Sequence, residues 1–210
     1  MTNCKFVRVN SISLAAVLVL LSPMVTAAQA VFTQIRATEV FDPLNLFGSG
    51  PVGTFINSGA VTCPGGQPTG DPMQPCPAGS RINIRGMQIK DRTISQSPLL
   101  TGWQYPLEIN VDFDSNATGR EWGTFRIELD AGGVWEGTWT ADRIKMDNVW
   151  VDHISGVARG KGGSVDGMQM QFTEVITAFG EFLPAWGGSI EARILAPPCS
   201  ITPAQPSANR

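Results

Sequence analysis

Along most of this chain, hydrophobic and polar residues alternate with a period of two, and glycines break the alternation at short intervals. In PLEINVDF, Leu107, Ile109, Val111 and Phe113 share one face, while Glu108, Asn110 and Asp112 share the other. EWGTFRIEL sets Phe125, Ile127 and Leu129 against Thr124, Arg126 and Glu128. VWEGTWTADR sets Trp135, Gly137, Trp139 and Ala141 against Glu136, Thr138, Thr140 and Asp142. Successive side chains of a strand point to opposite faces, so each segment predicts a half-buried strand. VFTQIRATEVFD, RINIRGMQIKDR (with a break at Gly86), VWVDHISGVARG, MQMQFTEVITAF and SIEARIL predict further strands. Residues 43–79 read as a loop, since Gly, Pro, Asn and Ser crowd them, with one strand inside VGTFINSGAVT and partial disorder within Pro64–Pro77 as one outcome. No segment carries the capped 3.6-residue pattern of a long amphipathic helix.

About eight short strands joined by tight turns predict an all-β fold, either a sandwich or an up-and-down barrel. Closure removes the unpaired edges that a sheet otherwise exposes. The expectation is therefore a closed, antiparallel, eight-stranded β-barrel. It forms a single domain over 31–196, followed by a flexible Pro- and Ser-rich tail at 197–210.

The first thirty residues change this picture. Lys5 and Arg8 precede an apolar run from Ile12 to Leu21, and Ala28-Gln29-Ala30 follows. This is the pattern of a cleaved signal peptide over 1–30, too short in its apolar part to be a comfortable membrane span. It predicts a secreted or periplasmic protein with no membrane span in the mature chain. Removing Lys5 and Arg8, with no acid in the segment, takes the formal charge from −3 to −5. A mildly acidic chain with scattered basic residues has no footprint for nucleic acid. Cys63, Cys76 and Cys199 remain after cleavage. Cys63 and Cys76 bracket a Pro/Gly loop, and a disulfide between them is favoured over one to Cys199 in an oxidising compartment. No zinc spacing is present and His153 is the only histidine, so neither a metal nor another cofactor is expected.

One acid stands out. In MQMQFTEVITAF, period two puts Glu174 in a row with Met168, Met170, Phe172 and Ile176. A carboxyl in an apolar cavity has a raised pKa and can act as acid or base near neutrality. Alternatively Glu174 pairs with Arg143 or Arg159, or reaches a barrel mouth. Asp152 and His153 are adjacent, so they face opposite ways and form no catalytic pair. Six tryptophans are many for this length. Trp135 and Trp139 share their face with Gly137 and Ala141, which suits either core packing or stacking on a planar guest.

WEGTWT, GVARGKGGSVDGM and FTE together resemble the C-terminal half of small barrels of the allene oxide cyclase-like family, whose glycine ladder is also similar to that of plant dirigent proteins. The resemblance covers roughly Gly123 to Ala178 and does not extend to the N-terminal half. It implies an eight-stranded barrel with an apolar cavity, and it leaves a homo-oligomer open. The leading expectation is an exported barrel that holds a small apolar or aromatic molecule against Trp135, Trp139, Met170, Phe172 and Ile176. One alternative is a cofactor-free cyclase or isomerase with Glu174 as catalytic acid or base. Another is a structural or interaction domain with a filled core.

Overall fold

The computed structural model describes residues 32–71, 74–147, 149–178 and 185–197. The expected signal peptide, Cys199 and all of the tail beyond Pro197 lie outside the described residues, as do Asn148 and residues 72–73 of the Pro/Gly loop.

Eight long strands follow the expected alternation. They are β1 (Phe32–Phe41), β4 (Ile82–Ser95), β5 (Gly102–Phe113), β6 (Gly119–Leu129), β7 (Val134–Met146), β8 (Val149–Lys161), β9 (Gln169–Ala178) and β10 (Trp186–Leu195). Each pairs antiparallel with its sequence neighbour from β4 to β10. β1 then closes the ring, pairing with β10 from Phe32↔Leu195 to Phe41↔Trp186 and with β4 from Ala37↔Ser95 to Val40↔Arg92. The fold is a closed antiparallel eight-stranded β-barrel. Its inward rows, including Ile35, Ile89, Ile109, Ile127 and Ile194, form the buried core.

The expected strand in VGTFINSGAVT is broken in two, as β2 (Thr54–Asn57) and β3 (Ala60–Thr62). Both lie along the edge of β4 that β1 leaves free. The break at Gly59 faces a bulge at Arg85–Gly86, and both glycines have positive φ. A Cβ on Gly59 would meet backbone atoms of Arg85 and Met87 at 2.6 Å. The side chain of Asn110 accepts the freed Gly86 N–H at 2.9 Å and donates to the Trp122 carbonyl at 3.1 Å. The bulge therefore costs no unsatisfied backbone donor.

The loop at 43–79 is tied down at both ends. The Asp42 carboxylate accepts the backbone N–H groups of Leu46 and Phe47 at 2.7 and 2.8 Å. Cys63 and Cys76 are buried and joined by a disulfide, which shortens the free loop between them.

Glycines set the shape of the interior. A Cβ on Gly137 would lie 2.7 Å from the Phe125 ring, and one on Gly156 would lie 2.3 Å from Phe172. The two rings meet edge to face, with centroids 5.4 Å apart, in the space those glycines leave. Trp135 is fully buried and donates its indole N–H to the Leu99 carbonyl at 2.8 Å, beneath the β4–β5 turn. Trp150 donates to the Asn116 carbonyl at 2.8 Å at the opposite end.

Gly156→Ala should destabilise the barrel by about 1–3 kcal/mol, the typical penalty for overpacking a filled core. Urea unfolding measures this, and Phe172→Leu in the same chain should recover part of the loss. An unchanged midpoint in the single variant would contradict the packing described.

Candidate functional site

The barrel interior is not uniformly apolar. Polar side chains interrupt its rows: Glu39, Asp91, Thr93, Gln104, Arg143, Asp152 and Glu174 are buried, and Glu121 is nearly so at 11% side-chain exposure. Strand register explains how they form a belt. Glu39, Gly188, Ile176, Asp152 and Arg143 lie opposite one another across β1, β10, β9, β8 and β7. Glu174, Ile154, Ala141 and Glu121 form the next row, from β9 to β6. Glu174 therefore sits diagonally between Glu39 and Asp152.

One end of the belt is a carboxyl pair. Gln104 Nε2 donates to Glu39 Oε2 at 3.2 Å and to Asp91 Oδ2 at 3.4 Å, and Trp186 Nε1 donates to Glu39 Oε1 at 3.0 Å. Gln104 thus bridges the two carboxyls, while Asp91 Oδ1 has no hydrogen-bond partner. Burial raises the pKa of both, and the neighbouring Glu39 charge pushes Asp91 up further.

The other end holds the cation. Arg143 grips Asp152 with two bonds, Nε to Oδ1 at 2.5 Å and Nη2 to Oδ2 at 2.8 Å, and lies 4.6 Å from the Phe113 ring centre. Glu121 Oε1 stands 3.3 Å from Arg143 Nε without making a hydrogen bond. Burial outweighs that contact and pushes the Glu121 carboxyl up to about 8. Burial works against the Arg143 charge, but Glu121 and Asp152 together hold its pKa above the ordinary value.

Glu174 lies between these groups. It is 4% exposed, so it does not reach solvent at a barrel mouth. Its Oε1 has no hydrogen-bond partner. Arg143 serves Asp152 and Glu121 instead, and Arg159 is on the exposed face. Space for the carboxyl comes from Gly188, where a Cβ would lie 1.8 Å from Oε1. Burial drives the Glu174 pKa well above the usual carboxylate range, and the nearby Glu39 and Asp152 charges add to it.

Glu174 faces a cavity of about 80 Å³, lined also by Trp139, Met170, Phe172 and Ile176 and by other members of the belt. Glu121 and Trp139 also line it, and Glu121 Oε1 and the Trp139 indole Nε1, which packs close to Gly123, are likewise without a hydrogen-bond partner. Trp135 is not among the lining residues; it packs below them. Among the described residues, no group of three or more His, Cys, Asp or Glu side chains is placed to hold a metal ion. His153 points outward, while its neighbour Asp152 is inside. The arrangement can bind hydrogen-bond donors or positive charge in an apolar setting, and it can hold a proton on Glu174.

The alternation that exposes Glu174 also reveals Glu39 after Ile35 and Ala37, and Asp152 after Trp150. It reveals Arg143 after Trp139 and Ala141, and Glu121 ahead of Gly123 and Phe125. Gln104 is hidden from it. The ladder slips at Tyr105–Pro106, so a phase carried back from Leu107 puts Tyr105 inside, whereas Gln104 is buried and Tyr105 exposed.

The raised carboxyls fix a pH dependence. Above about pH 5 the folded chain holds protons on Glu121 and Glu174 that the unfolded chain has released. Their contribution to stability is present below the unfolded pKa, 4.5 for each, and is lost as pH rises, through about 8 for Glu121. Unfolding free energy in urea should fall from about pH 5 to 8, by about 1.4 kcal/mol per unit for each group still protonated. Glu174→Gln should make that slope shallower; a slope unaffected by the change would remove Glu174 from the account. Scans of this chain against protein families, curated proteins and solved structures find no match.

Proposed function

We propose that this chain is an exported β-barrel that holds a small apolar or aromatic molecule in its interior. The observation that carries this reading is the cavity itself. Aromatic and aliphatic side chains line it, and three of its lining residues carry a polar atom with no hydrogen-bond partner: Glu121 Oε1, Trp139 Nε1 and Glu174 Oε1. Binding sites for small molecules have this character: apolar walls with a few placed polar groups. At roughly 10–15 Å³ for each water-sized unit, the cavity suits a guest of about six non-hydrogen atoms, or a slightly larger one if side chains yield. The Cys63–Cys76 disulfide and the leader-like first thirty residues support an oxidising destination outside the cytoplasm. Kinship with the allene oxide cyclase-like barrels is part of this proposal, supported by the eight-stranded closure and by rings packed over Gly137 and Gly156.

A second reading has one specific observation in its favour. Glu174 is buried, unpaired at Oε1 and set against the cavity, as a general acid or base must be. In that case the barrel is a cofactor-free isomerase or cyclase, with the walls fixing the conformation of the guest.

Both readings are testable with small probes. Cyclopentanol, phenol and toluene should shift the NMR signal of the Trp139 indole N–H and saturate. If none of them perturbs it, the ligand reading falls. For the enzyme reading, cyclopentanone in deuterated buffer should exchange its α-protons faster with the protein than without it, and Glu174→Gln should remove the acceleration.

A further inference from the structure

We infer that the guest of this cavity carries a primary ammonium group seated against the Glu174 carboxylate, so that the barrel is a receptor for small hydrophobic amines. The inference rests on the ligand-binding reading above and names the chemistry of the guest.

The first observation is an excess of acidic over basic side chains in the interior. Five acids of the barrel interior, Glu39, Asp91, Glu121, Asp152 and Glu174, stand with one buried cation, Arg143. Arg143 is committed to Asp152 through two bonds and to Glu121 at 3.3 Å. Among the described residues no ion pair reaches Glu39, Asp91 or Glu174. Glu39 and Asp91 share the Gln104 donor, and Glu39 also accepts from Trp186. Glu174 has no such arrangement, so it is the acid left for an incoming donor.

The second observation is that the vicinity of Glu174 is built rather than left over. Gly188 is buried, and any side chain there would overlap the Glu174 carboxyl. The same carboxyl lines the cavity with Oε1 unpaired. An ammonium brings three donors, enough to satisfy Oε1 and still reach a neighbouring acceptor such as Glu39 or Asp152. Phe125, Phe172, Trp139 and Trp186 line the same cavity, and aromatic rings attract a cation placed over their faces. A bare ion would leave those walls unused, whereas a small apolar amine uses both parts.

Binding has a fixed proton balance. The ammonium displaces the proton that Glu174 holds in the free protein; the ion pair forms and one proton leaves to solvent. Glu39 on β1, Glu121 on β6, Arg143 on β7 and Asp152 on β8 line the same cavity, and Asp91 on β4 lies within electrostatic reach of Glu174; the Glu39 and Asp152 charges help to hold that proton. Amine affinity must therefore climb with pH until Glu174 ionises unaided, while a neutral guest of the same shape shows no such rise.

Calorimetric titration of the folded protein with cyclopentylamine and with cyclopentanol tests this. From about pH 5.5 upward the amine should gain affinity as pH rises, with release of protons on binding, and should end at least tenfold tighter than the alcohol. In Glu174→Gln the amine should bind no better than the alcohol. The wild-type comparison stands even if that variant fails to fold. If the alcohol binds and the amine binds equally or without pH dependence, the inference is overturned and the ligand reading survives. If neither binds, the ligand reading itself is overturned, and this inference with it.

Discussion

Closure of the sheet is the constraint from which the other features follow. Once β1 bonds to both β10 and β4, every inward side chain shares one finite interior with the inward side chains of seven other strands. The volume is then a common resource, and each large ring needs a small residue opposite it. Gly137 and Gly156 admit Phe125 and Phe172, and Gly188 admits the Glu174 carboxyl. An open sheet could have accommodated the same residues by bending away. A closed one has to match them in size around the ring.

Much of this was legible in the chain, because a strand announces its faces by alternation. The eight strands, the break at Gly86 and the inward placement of Glu174 all come from period two. The disulfide was legible from two cysteines flanking a loop too rich in proline and glycine to pack unaided. Two things were not legible. Ladder slips change phase without a clear mark, so Gln104 looks outward and Tyr105 inward until the shift at Tyr105–Pro106 is known. Partnership is the other: alternation tells which way Glu39, Glu174 and Asp152 point, but only register brings them side by side. Arg143 had looked like a partner for Glu174, yet register sets it opposite Asp152.

The belt divides labour among similar groups. Asp152 is ordinary in company, held by a bidentate guanidinium. Glu39 and Asp91 solve the problem of burial together, and Glu121 solves it by taking up a proton. Glu174 has a proton and a cavity in place of a partner. Identical chemistry thus acquires four different environments within one interior, and the last leaves a carboxyl at the cavity with neither a cation nor a hydrogen-bond donor on its Oε1.

The pairing of Phe32 with Leu195 joins the two extremes of the described chain. Almost nothing in the barrel can therefore be completed locally. β4 to β9 can zip up as a growing meander, but it remains an open ribbon with its inner face wet until β10 arrives and β1 docks beside it. The carboxyls of the belt come from β1, β4, β6, β8 and β9, so their dehydration belongs to that last event. Order of assembly is built into the topology: hairpins first, ring last, and the charged interior sealed only at the end.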